Sequence, residues 1–162
     1  MRTPLKLLLG LALAHLPSSG AFARDVFTEQ QIKGVYTFAF DGYVLPDGKA
    51  MPVAAAGSID IHWRGDAVTG EDGETIMTEV DASGARTISF GGVICTNEFA
   101  CHLYPDSDGM GNATCVPYNV NVECPLSLPR ETFTYFVEDN GRGFRYVGTD
   151  THTTILGRGR RR

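Results

Sequence analysis

Apolar and polar residues alternate with a period of two along most of the chain. Over residues 34–42 the alternation places Tyr36, Phe38 and Phe40 on one face and Val35, Thr37, Ala39 and Asp41 on the other, the mark of a strand buried on one side. After the turn Pro46-Asp47-Gly48, residues 53–63 set Val53, Ala55, Gly57, Ile59, Ile61 and Trp63 against Ala54, Ala56, Ser58, Asp60 and His62. Arg64-Gly65-Asp66 turns the chain back into strand material over 67–70 and 75–80, with Asp72-Gly73 between as a turn or bulge. A turn at Asp81-Ala82-Ser83-Gly84 precedes a strand from 86 to about 95. Further strands are expected over 99–104 and 113–122, with loops at 105–112 and 125–129. Residues 132–138 and 143–149 flank Asp139-Asn140-Gly141-Arg142, whose Asn-Gly is the strongest short hairpin signal present. A last strand runs from 152 to about 159.

Only one helix is expected. Thr28-Glu29-Gln30-Gln31 has the form of a capping box and Gly34 supplies a stop, so a turn or two of helix there buries Val26, Phe27 and Ile32. The remaining elements are strands joined by short turns, and parallel pairing would need long crossovers. The fold class is therefore all-β: an antiparallel up-and-down β-barrel of about eight strands with one short N-terminal helix. Pairing the first strand with the last removes both sheet edges, and Gly157 and Gly159 suit a sharp closure there. A β-sandwich is the alternative. The composition, with 19 Gly and 8 Pro, agrees with many short strands and tight turns.

The first residues change the setting. Arg2 and Lys6 precede a short apolar run over 7–16, a Pro17-Ser18-Ser19-Gly20 break and Ala21-Phe22-Ala23. This is the layout of a cleaved export signal over residues 1–23, and its apolar run is too short to span a bilayer. A single domain over 24–162 is expected in the periplasm or medium, with no integral membrane segment. Its 12 basic and 19 acidic residues give a formal charge of −7. Four of those bases, Arg158, Arg160, Arg161 and Arg162, read as a solvated chain end. The acidic remainder argues against nucleic acid as a partner.

Cys95, Cys101, Cys115 and Cys124 are an even set in an exported chain, hence two disulfides. No C-x2-C spacing occurs, so zinc is a poor alternative to disulfides, and no metal is assigned. Among three possible pairings, the sequential one (Cys95–Cys101 with Cys115–Cys124) staples two local turns. The nested one (Cys95–Cys124 around Cys101–Cys115) ties a single hairpin. The sequential pairing is slightly preferred, with all three left open.

The chain resembles small exported bacterial domains of lipocalin-like, calycin-type β-barrel character. The matching residues are the alternating 34–42 segment with Gly34, Tyr36, Phe38, Phe40 and Gly42, the run 52–59, the strand leading to Cys95, and Phe133 to Thr149 with its Glu138-Asp139-Asn140-Gly141-Arg142-Gly143 turn. Relative to that pattern, a cysteine-containing insertion spans about 101–129. The resemblance implies a barrel and leaves the task open, because one scaffold hosts many sites.

Candidate chemistry is sparse. Tyr36, Phe38 and Phe40, facing Phe133 and Tyr135 across the closing strands, are the candidate lining for a small apolar ligand. His62, His102 and His152 show no metal-ligand spacing, and no Gly-x-Ser-x-Gly elbow is present. The acidic loops at Asp106 and Asp108 and at Glu71, Asp72 and Glu74 read as solvated turns. No catalytic residue and no cofactor is assigned. The leading expectation is a non-catalytic barrel binding a small, partly apolar molecule. A structural or protein-interaction domain with a filled barrel, acting through its loops, is the second. A barrel-type cyclase or isomerase is the third. An interior cavity of a few hundred Å3 would favour the first and third, and a filled interior the second.

Overall fold

The computed structural model describes residues 29–69, 75–77, 79–106, 108–121, 124 and 130–162. The export signal, the cap at Thr28, Val26, Phe27 and the Glu71, Asp72, Glu74 cluster lie outside the described residues. A one-turn helix α1 (Glu29–Ile32) leads into β1 (Gly34–Val44), β2 (Met51–Gly65), β3 (Val68–Thr69), β4 (Thr75–Met77) and β5 (Val80–Phe90). There follow β6 (Val93–Pro105), β7 (Met110–Tyr118), β8 (Glu131–Glu138), β9 (Gly143–Gly148) and β10 (Thr153–Arg161). Eight of these strands close into an antiparallel barrel in the order β1, β10, β9, β8, β7, β6, β5, β2, and β3 with β4 forms a separate hairpin. First strand meets last over nine registered pairs, from Tyr36 opposite Arg161 to Val44 opposite Thr153. No edge is left unpaired in the barrel, and no helix among the described residues is long and apolar enough to cross a membrane.

Three turns of chain differ from the sequence reading. The segment expected as one strand from 86 to 95 is two, because Gly91 and Gly92 take φ of 54° and 97°. Two successive left-handed residues make the tight turn that matches strand twist, and glycine adopts both without a Cβ clash. The expected turn at Asp81 to Gly84 is instead the body of β5. Asp81, though on the outer face, is buried: its carboxylate accepts the Leu103 N–H at 2.9 Å and the Arg64 N–H at 3.4 Å. A polar residue spent on backbone donors reads as a turn signal in sequence and acts as a strand anchor here. The last strand also runs further than expected, since Arg160 and Arg161 join Arg158 in β10 along the closing seam, and all three side chains stay exposed.

The disulfides are nested, Cys101–Cys115 inside Cys95–Cys124, which corrects the sequential preference. Cys95 and Cys101 share β6 and stand about 20 Å apart along it, six residues at strand rise. They cannot meet. Cys101 and Cys115 are register partners across β6 and β7, with Cα atoms 4.1 Å apart. The stretch read as an insertion thus contributes β7 and the end of β6 to the barrel wall.

Inward positions carry the core. Phe40 and Phe133 meet the Tyr146 ring edge-on at centroid distances of 6.3 and 5.5 Å, and Phe38 meets Phe99 at 5.7 Å. Several rings lean along the wall over a glycine on the neighbouring strand. A Cβ on Gly157 would run into the Tyr146 ring, and one on Gly159 into the Phe144 ring. These glycines were expected to sharpen the closure. Their role is close approach: each removes a side chain where a cross-strand ring lies flat.

Candidate functional site

Parity along each strand decides what enters the barrel, and it brings in three polar side chains. Arg86 shares its phase with Ile88 and Phe90 on β5, Asn97 with Cys95 and Phe99 on β6, and Glu131 with Phe133 and Tyr135 on β8. All three are buried. The Arg86 guanidinium donates from both terminal nitrogens to the two Glu131 carboxylate oxygens, at 2.8 and 2.9 Å, and from Nε to Asn97 Oδ1 at 3.1 Å. Strands β6 and β7 lie between β5 and β8 in the sheet, so the pair ties walls that do not touch directly. The guanidinium carbon also lies 5.8 Å from the Phe40 ring centroid and 5.5 Å from that of Phe99, within cation–π range. A bidentate, charge-assisted pair with its third donor satisfied is the form in which such charges tolerate burial.

Beside this pair lies an apolar cavity of about 80 Å3. Phe38, Phe40, Phe133 and Tyr135, four of the five candidate lining residues, face it together with Phe99, Phe144 and Tyr146. Tyr36 does not. Its fully buried hydroxyl stands 2.9 Å from the Ile32 carbonyl oxygen and 2.6 Å from that of Gly141, fastening α1 to the turn before β9. Burial pushes the Tyr36 phenol up, partly offset by Arg161. Ile32, held by this clasp, lines one end of the cavity.

Tyr146 supplies the polar group that the sequence reading overlooked. It is 8% exposed, it lines the cavity, and its hydroxyl has no hydrogen-bond partner among the described residues. Burial drives its pKa far up, with Arg86 opposing and Glu131 adding to the shift, so the phenol stays protonated and remains a donor. The signal was present as the alternation Phe144, Tyr146, Gly148. Arg86 and Glu131 were detectable only by counting phase from their apolar neighbours.

The outer wall has two further features. Under β4, Thr75, Met77 and Glu79 border a groove of about 300 Å3 with His102, Tyr104, Thr114 and Arg130. There His102 Nδ1 stands 2.6 Å from Asp81 Oδ2, a close contact that lacks the alignment of a hydrogen bond. Across β10, β9, β8 and β7, register places Leu156 beside Val147 and sets Arg158, Arg145, Phe136 and Met110 in one row. All six are exposed. The cysteines are all in disulfides, and His62 lies by the bulge at the end of β2, apart from the interior site. The architecture, a closed eight-stranded antiparallel barrel with one short helix, is consistent with a calycin-like fold. Compared with known proteins, the chain matches no family model, no curated protein and no solved structure.

Proposed function

We propose that this chain is an exported lipocalin-like barrel that binds a small, partly apolar molecule in its interior without transforming it. One observation carries the reading: the core of the closed barrel retains an almost wholly apolar cavity. A core built only for stability is close-packed, with few voids larger than a water molecule. At about 80 Å3 the cavity falls short of the few hundred Å3 that would have favoured a drug-sized ligand, so the reading holds for a compact occupant alone. Native mass spectrometry of protein purified from its own host should show a retained small molecule released on denaturation. An apo mass, together with failure of the purified protein to take up xenon, would refute the reading. Export is tested by N-terminal sequencing of the secreted form, expected to begin at Arg24.

A second reading, an interaction domain working through its surface, is favoured by the exposed row on the outer wall. Arg158 and Arg145 are register partners, and like charges directly opposite on neighbouring strands destabilise a sheet. Beside them Leu156 is 64% exposed. Under this reading, replacing Leu156 and Arg158 abolishes capture of a partner and leaves interior binding unchanged.

A further inference from the structure

An occupant of the cavity has to enter the barrel, and the lining shows where. The wall is a closed ring of eight paired strands, so no gap opens through it without breaking a ladder. At the end where β5 turns into β6, register sets Val53 beside Phe90, with Gly42 between Val53 and Ile155. Val53, Phe90 and Ile155 are buried in the core, and none of them lines the cavity. That end is packed.

At the opposite end the cavity is lined by Ile32 of α1 and by the register partners Val137 and Phe144. Val137 and Phe144 are half-buried, whereas every other lining residue is buried. The lining therefore meets solvent at this pair, next to the turn Asp139–Gly141 on which α1 rests. Ile32, 3% exposed, closes the cavity from α1.

The build of α1 suits it to move. A single turn is far too short to hold itself as a helix, so its position depends on contacts with the barrel. Two of these act as latches. Tyr36 Oη stands 2.9 Å from the Ile32 carbonyl oxygen and 2.6 Å from that of Gly141, and the Arg161 guanidinium donates to the Lys33 carbonyl at 2.6 Å. The link from α1 to β1 runs through Gly34, whose φ of 140° lies where glycine moves without a Cβ penalty.

We infer that α1 is the gate of the barrel interior: it swings about Gly34, lifts Ile32 off the cavity and admits the occupant past Val137 and Phe144, with Tyr36 as its latch. This rests on the ligand-binding reading above and adds the route of entry. Elements that open to admit a ligand come from the least stable parts of a fold. Tyr36 does not line the cavity, so loss of its hydroxyl leaves the bound contacts intact. It raises the open population, and entry and exit quicken together.

The test uses the full mature protein and xenon, which suits a dry apolar cavity. Methyl-resolved NMR of the lining residues Ile59, Leu103 and Ala113 gives occupancy, and xenon-129 exchange spectroscopy gives the entry and exit rates. Tyr36→Phe should raise both rates by about two- to twelve-fold, the worth of one hydrogen bond, and leave the Kd within about two-fold. Arg161→Met, at an exposed position, should act in the same direction and serves if Tyr36→Phe does not fold. Phe90→Leu, at the packed end, should leave the rates read at Leu103 unchanged. No xenon uptake by the unaltered protein overturns the ligand-binding reading and this inference with it. With xenon bound, any of three results overturns the gate alone: unchanged rates in Tyr36→Phe (in Arg161→Met where the first variant does not fold), faster exchange in Phe90→Leu, or a weakened Kd with an unchanged entry rate.

Discussion

Breaking the Arg86–Glu131 pair should cost this small barrel a large share of its stability, whereas replacing both partners together should not. The side chains are 4% and 9% exposed, and the contact is bidentate at 2.8 and 2.9 Å. Removing one partner leaves an uncompensated charge in the interior, at about 3–5 kcal/mol. Removing both for apolar residues of similar volume falls between neutral and a gain of about 1–4 kcal/mol. Arg86→Met and Glu131→Leu, singly and together, form the cycle, read by urea unfolding with the disulfides intact. With a slope near 2 kcal/mol/M, each single variant lowers the midpoint by about 1.5–2.5 M, and the double variant recovers most of that loss. Single losses under about 1 kcal/mol, or additivity within about 0.5 kcal/mol, would show the two charges to be independently solvated. The cross-barrel tie would then be no part of what holds the fold.

Other consequences are more local. Gly157→Ala places a Cβ inside the space of the Tyr146 ring and should destabilise by about 1–3 kcal/mol through overpacking; an unchanged urea midpoint would mean that the ring is free to move away. A non-reducing peptide map should yield the Cys101–Cys115 and Cys95–Cys124 linkages, and any Cys95–Cys101 peptide would contradict the register of β6. Because burial holds the Tyr146 phenol above its ordinary value, the unfolded chain gives up that proton first as pH rises. The associated stability is intact below about pH 10 and falls beyond it. Urea midpoints of Tyr146→Phe should decline less steeply there than those of the unaltered protein; parallel profiles would contradict the burial.

Phase was the legible part of the fold. The period-two runs at 34–42 and 53–63 became β1 and β2, with large apolar residues on the buried face and small or polar ones on much of the other. Where strands carry glycine pairs or anchoring acids, pattern alone misplaced the boundaries, at Gly91-Gly92 and at Asp81. Local composition reports a turn at both, and only the neighbouring strand decides. The candidate site divided along a similar line. Phe38, Phe40, Phe133 and Tyr135 face the cavity through simple alternation, whereas Tyr36, in phase with them, sits one register toward the end and is taken by backbone carbonyls. Arg86 and Glu131 lie 45 residues apart, and charged residues are read by default as solvent-facing. Their meeting depends on barrel closure, which no local window contains.

The size of the cavity follows from the same closure. An eight-stranded barrel has an interior just wide enough for its own side chains to fill, so a cavity requires positions that contribute none. On β10 two inward positions are Gly157 and Gly159, and on β7 Gly111 lies beneath the Tyr135 ring. Each lets a large ring fold against the wall instead of crossing the axis. Large residues at those sites would push Tyr146, Phe144 and Tyr135 toward the centre, into the ~80 Å3 now open. Arg86 and Glu131 then act from the other side, holding their walls at a set spacing through a rigid bidentate contact. Rings flattened over glycine and a polar strut across the interior together keep a small apolar space open.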